Sequence, residues 1–252
     1  MALLAWGDAG VLYRPTMDID LLGRTANSEQ NLVGIFQAVA RQAVEDDGLQ
    51  FEPESVAVEP ITDADEYQGM RIKLLGRLAN ARIPMQIDIG FSDVPLPPPE
   101  PVQLLSILNF PAPTMNGYRP ESTIAEKFQT MVARNLPNSR MKDFADLWFL
   151  SNHLSFDGAI LANAIAETFR RRGTAMPAEP VALSELFGQD STKRAQWSAF
   201  LRKGQLHGLP EDISQMIAAI ATFLLPICQA IASGASFTGT WNPAGPWQTA
   251  TF

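Results

Sequence analysis

From Asp18 the chain alternates polar and apolar positions (Asp18, Ile19, Asp20, Leu21), the period of a strand with one face buried, and Pro15 ends whatever precedes it. Over 28–45 the period changes. Leu32, Ile35, Phe36, Val39, Ala40 and Ala43 recur at helical spacing and predict an amphipathic helix. Two more strands are predicted near 70–75 and 85–91. In the second, Met85, Ile87, Ile89 and Phe91 share one face, and Gln86, Asp88 and Gly90 share the other. The proline-rich stretch 95–101 (PLPPPEP) reads as an extended linker or surface loop.

Beyond residue 120 or so the strand signals stop. Helical periods cover roughly 122–135, 141–152, 157–172, 192–203 and 211–232, with Thr123 and Glu126 placed as a capping box at the start of the first. The tail from Ser233 is rich in Gly, Thr, Pro and Trp, has no clear period and is expected to be irregular. No internal repeat is found. A mixed α/β first half followed by a helical second half is the expected α+β architecture.

Composition narrows the picture. The chain has 252 residues, 46% hydrophobic and 18% charged, an ordinary globular balance. Its single cysteine, Cys228, excludes an internal disulfide and suits a reducing cytoplasm. No apolar run is expected to reach a membrane span, and Met1–Trp6 lacks the basic flank of a signal peptide. A formal net charge of −8 argues against general nucleic-acid binding. The charge is uneven. Between Glu45 and Glu66 stand nine acids and no Lys or Arg; between Arg119 and Lys142 stand five basic residues against two acids. The basic segment suits a phosphate-bearing ligand, and solvated surface is the alternative for both stretches.

The candidate chemistry lies in carboxylates on strands. Asp18 and Asp20, two apart, are expected on one side of their strand, and Asp88 occupies a second strand between core-facing Ile87 and Ile89. Such carboxylates repel one another unless a cation sits among them, and hard oxygen donors favour Mg²⁺ or Mn²⁺. A D-x-D pair alone is weak, since it often marks a strand end or turn. Asp88 strengthens it, because an acid in a buried-looking strand needs a partner.

Four stretches, RPTMDIDLLGR, IPMQIDIGFSD, YRPESTIAEKFQTMVARN and SRMKDFADLWFL, together resemble the AbiEii/AbiGii-type nucleotidyltransferase toxins, members of the DNA polymerase β-like nucleotidyltransferase superfamily. The resemblance runs from about residue 12 to 152, in matching order. It implies a nucleotidyltransferase-like mixed sheet with flanking helices as a core over 1–115, and a helical domain over 116–252. It implies Asp18, Asp20 and Asp88 as metal ligands and Lys127 as a triphosphate contact. It also implies Asp143 and Asp146 as a C-terminal acidic motif. Arg134, seven residues after Lys127 and so on its face, is added to the nucleotide-binding set. The implied activity is transfer of a nucleotide from an NTP, with pyrophosphate released, by the toxin of a toxin–antitoxin pair. tRNA is the expected acceptor, an antitoxin the expected partner, and no membrane is involved.

Other readings remain open. A protein hydroxyl or a cationic small molecule would also suit an acidic transferase. A catalytically degenerate module that binds an antitoxin through the acidic block 45–66 is the third. Among single residues, Glu126 reads as a cap, and Arg140 and Lys142 as helical-turn partners of Asp143 and Asp146. Phe144, Leu147 and Trp148 read as core, Arg170–Arg172 as a solvated helix end, His153 and His207 as structural, and Cys228 as an inert small hydrophobe. One departure stands out. Nothing before Tyr13 reads as the superfamily's Gly-Gly or Gly-Ser turn upstream of the D-x-D; Gly7 and Gly10 lie where the family has the loop between its first helix and the D-x-D strand. A chain beginning at an internal methionine is the favoured explanation, and loss of the motif the other.

Overall fold

A computed structural model describes residues 18–61, 69–91, 94–104 and 110–248. Gly7, Gly10 and the apolar start of the chain lie outside these residues. The chain divides into two compact units, one carrying the described residues up to Val94 and the other those from Pro95.

The first unit is a four-stranded mixed sheet backed by one helix. Strands β1 (Asp18–Leu22), β2 (Leu49–Ile61), β3 (Gly69–Leu78) and β4 (Ala81–Gly90) stand in the order β1-β4-β3-β2. β1 runs parallel to β4, while β4 and β3, and β3 and β2, are antiparallel. The period-two pattern decides the faces. Ile72, Leu74, Ile87 and Ile89 are buried, and α1 (Glu29–Ala40) lays Leu32 and Phe36 over them. The opposite face is polar, and the register lines up its residues in cross-strand rows.

Two expectations change here. The helix predicted to reach 45 stops at Ala40. Beyond it Asp46 and Asp47 accept hydrogen bonds from the amides of Gly48 and Leu49, and Gly48 takes φ +79°, which turns the chain into β2. The acidic stretch 45–66 is therefore, over its described part, a turn and then an edge strand. Its acids meet basic neighbours: Glu59 pairs with Lys73 at 2.7 Å, Glu52 with Arg77, and Glu54 with Arg41. Pro53 and Pro60 hide this strand from a sequence reading. An edge strand tolerates them, and the ladder slips between Glu52 and Ala57, where Ser55 Oγ accepts from the Leu75 amide and donates to the Glu52 carbonyl.

The second unit is helical. A short antiparallel pair, β5 (Glu100–Gln103) and β6 (Thr114–Gly117), falls where only linker or loop was expected. Then follow α2 (Pro120–Arg134), α3 (Met141–His153), α4 (Gly158–Arg171), α5 (Glu185–Gln189), α6 (Ser191–Gly204) and α7 (Ile213–Ser233). Ile124, Phe128, Phe144, Leu147, Ile165, Ile220 and Phe223 have no exposed surface and form one core, while Trp148 packs partly buried at its edge. The capping box at Thr123 is not formed. α2 begins three residues earlier, with Pro120 in its first turn, where a missing N–H is harmless; Glu126 instead faces Arg172, 4.0 Å away.

α7 corrects the expectation that no stretch approaches a membrane span, since it is 21 residues long and an 18-residue window within it reaches a mean hydropathy of 2.0. Its buried residues, among them Ile213, Met216, Ile217, Ile220, Phe223, Leu224 and Ile227, recur at three and four and face the core of this unit. The tail is not wholly irregular. β7 (Phe156–Asp157), β8 (Thr240–Trp241) and β9 (Trp247–Gln248) form a small antiparallel sheet, also against the expectation of no further strands. Trp241 Nε1 donates to the Ser151 carbonyl at 2.7 Å and Trp247 Nε1 to that of Phe223 at 2.8 Å, fixing both rings against α3 and α7. Cys228 is fully buried, as expected.

Candidate active site

The sheet unit builds its polar face from register. Asp20 of β1 lies directly opposite Asp88 of β4, and Asp88 lies opposite Arg71 of β3, so the three form one row across adjacent strands. Asp18 takes the position opposite Gln86, one row along. Neighbouring strands stand about 4.8 Å apart, so carboxylates at paired positions come close enough to share one small cation. The polar and apolar faces expected for Gln86, Asp88, Ile87 and Ile89 are those found.

Asp88 is not a bare carboxylate. Arg71 donates to both of its oxygens, from Nε to Oδ1 at 2.9 Å and from Nη2 to Oδ2 at 2.8 Å, while Gln86 Nε2 reaches Oδ1 at 3.4 Å. The pair is part-buried, with the Arg71 side chain 33% and that of Asp88 20% exposed. Burial of Asp88 thus has its partner, as its place in the strand demanded, and the partner is a planar guanidinium. Asp20 is exposed. Among the described residues no three acidic, histidine or cysteine side chains converge on one point. The donors still suit a hard cation. A carboxylate offers about four lone-pair sites, so the Arg71 fork leaves Asp88 others to give.

The helical unit holds the second group. Lys127, on α2, points its ammonium at two carboxylates of α3: Asp146 Oδ2 at 2.8 Å and Asp143 Oδ1 at 3.3 Å. Arg140 Nε closes on Asp143 Oδ2 at 2.7 Å. Both acids are fully buried, whereas Lys127 keeps 19% of its side chain exposed. Asp143 and Asp146 are three apart, hence on one face, and Asp143 sits in the first turn, where the helix dipole favours an anion. Two cations thus neutralise two buried anions.

The sequence expected helical-turn pairs here. Arg140–Asp143 is one, but Asp146 is met from α2 by Lys127, and Lys142 is exposed instead. Arg134 stands partly buried near the C-terminal end of α2. Arg172 departs from a purely solvated end, since it donates to Gln129 Oε1 at 2.9 Å, while Arg170 remains 67% exposed beside Glu167. His153 stacks on Phe149 and lies 2.8 Å from its carbonyl, a structural role; His207 is exposed.

Arg71 is the residue that sequence reasoning missed. Its period-two position in GMRIKL puts it on the polar face, but only the β3–β4 register reveals Asp88 as its neighbour.

No curated relative matches the chain. Two solved structures are similar. JHP933 from Helicobacter pylori shares 13% identity at a TM-score of 0.49, with 92% of this chain and 84% of that one covered. A structure titled as a putative nucleotidyltransferase from H. pylori shares 14% at 0.44, covering 92% and 83%. The profile of one family, described as "Nucleotidyl transferase AbiEii toxin, Type IV TA system", matches residues 1–219, most of the length. The chain therefore belongs to the AbiEii family of nucleotidyl transferase toxins of type IV toxin–antitoxin systems.

Proposed function

We propose that this toxin transfers a nucleotide from an NTP to a hydroxyl of tRNA in the cytoplasm, with a divalent cation, Mg²⁺ or Mn²⁺, held by Asp18, Asp20 and Asp88. Family membership brings a nucleoside triphosphate substrate and an antitoxin partner with it. The observation that supports the cation site is the direct register of Asp20 with Asp88 on parallel neighbours, on the polar face of the sheet. The catalytic core is assigned to 1–115 and the helical domain to 116–252.

In the proposed reaction the acceptor oxygen attacks the α-phosphorus, the bond to the β-phosphate breaks and pyrophosphate leaves. The bound cation would supply charge neutralisation on the triphosphate and lower the pKa of the attacking hydroxyl. Asp88 is assigned the hydroxyl proton, and Arg71 keeps that carboxylate oriented across the strands. Lys127 is assigned to the triphosphate, with Arg134 further along α2. Asp143 and Asp146 hold the Lys127 ammonium at one end of its reach, so they set its direction. RNA as acceptor would draw on exposed basic residues such as Lys142, since Arg119, Lys127 and Arg140 of the basic segment are paired with Glu121, Asp143 and Asp146.

The experiment is transfer of label from each of the four NTPs to total tRNA with Mg²⁺, beside Asp20→Ala. Label on RNA with the wild type alone is the expected result. Label on protein or on a small molecule, with none on RNA, would replace tRNA as the acceptor.

A further inference from the structure

We propose that the exposed face of α6 binds the phosphate backbone of RNA. This rests on the reading of RNA as the acceptor, which α6 would hold during transfer.

The charge of this helix departs from that of the chain. The molecule carries a formal net charge of −8, yet residues 191–210 hold Lys193, Arg194, Arg202 and Lys203 and no acid. The helical period sorts these four. Lys193 turns inward, 4% exposed, and donates to the Asn138 carbonyl at 2.8 Å, so it serves the fold. Arg194, Arg202 and Lys203 are exposed, and no carboxylate of a described residue pairs with any of them. The segment between Arg119 and Lys142 is different, because Arg119, Lys127 and Arg140 there are neutralised by acids.

Two features separate this face from an ordinary solvated helix end. The first is Arg194. Cations in a last turn complement the helix dipole, which accounts for Arg202 and Lys203. Arg194 is the fourth residue of α6, at the end the dipole makes positive, where it is disfavoured. Asp190 caps that end through the Lys193 amide at 3.0 Å and forms no ion pair with Arg194. Arg194 Nε donates instead to the Gly188 carbonyl at 3.2 Å, which steadies the guanidinium and leaves its terminal nitrogens to an outside acceptor. The second feature is what lies between the cations. Ala195, Ser198 and Ala199 are exposed there, and side chains this short let a polymer backbone come close.

The partner follows from this chemistry. Arg194 and Arg202 stand eight residues, about 12 Å, apart along the helix, a span of several phosphates on one strand. Phosphate oxygens accept from guanidinium, ammonium and serine hydroxyl, so Ser198 adds a donor to the cations. A lipid surface fits less well. An interfacial helix dips large apolar side chains into the bilayer, and those of α6, Trp197, Phe200 and Leu201, pack into the core of this unit.

The test is binding of labelled total tRNA to the whole chain across a salt series, for wild type and for Arg194→Gln/Arg202→Gln/Lys203→Gln. Wild-type affinity should fall steeply with salt. The triple variant should bind about tenfold more weakly near physiological salt, and its slope of log affinity against log salt should be shallower by about two, as expected for lost phosphate contacts. kcat/KM for tRNA in label transfer should fall by the same factor.

Equal affinity and slope in the two chains, with label still passing to tRNA, overturn the role of α6 and leave RNA as acceptor. Weaker binding by the variant, with no label transferred by wild type, upholds the RNA surface and overturns the acceptor reading alone. Wild type that neither binds nor labels tRNA overturns both. A variant that loses binding to phosphatidylserine vesicles but keeps tRNA binding assigns the face to lipid and overturns the proposal. If the triple variant does not fold, Arg202→Gln/Lys203→Gln decides by the same readouts, since it leaves the Arg194–Gly188 contact in place.

Discussion

Lys127 Nζ lies 2.8 Å from Asp146 Oδ2, an ion pair between α2 and α3 whose carboxylate has no contact with solvent. Lys127, proposed above as a triphosphate contact, is therefore also a counter-ion for buried charge. Removing one partner of a buried pair strands the other, typically at about 3–5 kcal/mol. Lys127→Ala should lose stability on that scale in urea unfolding, because both buried acids lose their contact with the ammonium. The double variant Lys127→Met/Asp146→Leu should recover much of the loss while remaining inactive. If Lys127→Ala unfolds at the wild-type urea midpoint, the pair contributes nothing to the fold.

Asp20 gives the opposite expectation. It is exposed on the sheet face, so Asp20→Ala should stay within about 0.5 kcal/mol of wild-type stability. Transfer should fall by two orders of magnitude or more, since lost metal stabilisation is worth several kcal/mol and about 1.4 kcal/mol is tenfold. Asp88→Ala should lose both, because it also leaves the part-buried Arg71 without its fork. Melting curves and transfer rates on the two variants check the contrast. Equal thermal loss in both would mean that the row is structural.

What the sequence made legible follows its periods. Ile87, Ile89 and Asp88 were assigned to their faces because alternation in QIDIGF is strict, and α2, α3 and α7 because their apolar spacing holds over three turns or more. β2 was not legible. Its prolines and acids contradict strand propensity, and what rescues it is non-local: an edge position, a bulge tied by Ser55, and basic partners on neighbouring elements. For the same reason neither the Arg71–Asp88 pair nor the Lys127–Asp146 pair is legible in the sequence. Both depend on which elements lie side by side, and no period in one segment encodes that.

Trp241 shows how a segment without period can still be fixed. Its ring is 2% exposed, packs on Phe223 at 4.7 Å and donates to the Ser151 carbonyl. Trp241→Ala should destabilise by about 3–5 kcal/mol, as large buried aromatics do. Trp241→Phe should lose less, keeping most of the apolar contact and forfeiting the hydrogen bond. Thermal unfolding of the two variants separates packing from bonding, and a wild-type melting temperature for Trp241→Ala would mean that the tail is not anchored there.

Cys228 lets the core of the helical unit be watched directly. Burial pushes its thiol from 9.0 up to about 12, because the apolar surroundings penalise the thiolate. A raised pKa means that the folded chain holds the proton where the unfolded chain releases it. The contribution to stability is therefore complete below pH 9 and declines as pH climbs from 9 toward 12. In Cys228→Ala that part of the alkaline decline should be absent, although the small cavity lowers stability at every pH. At pH 8 the thiolate fraction in the folded chain is only about one in ten thousand, so a disulfide reagent should wait for unfolding. The labelling rate should then rise with urea in step with the unfolded population. Rapid labelling of the native chain at pH 8 would show that α7 opens locally and that its buried face is not continuously packed.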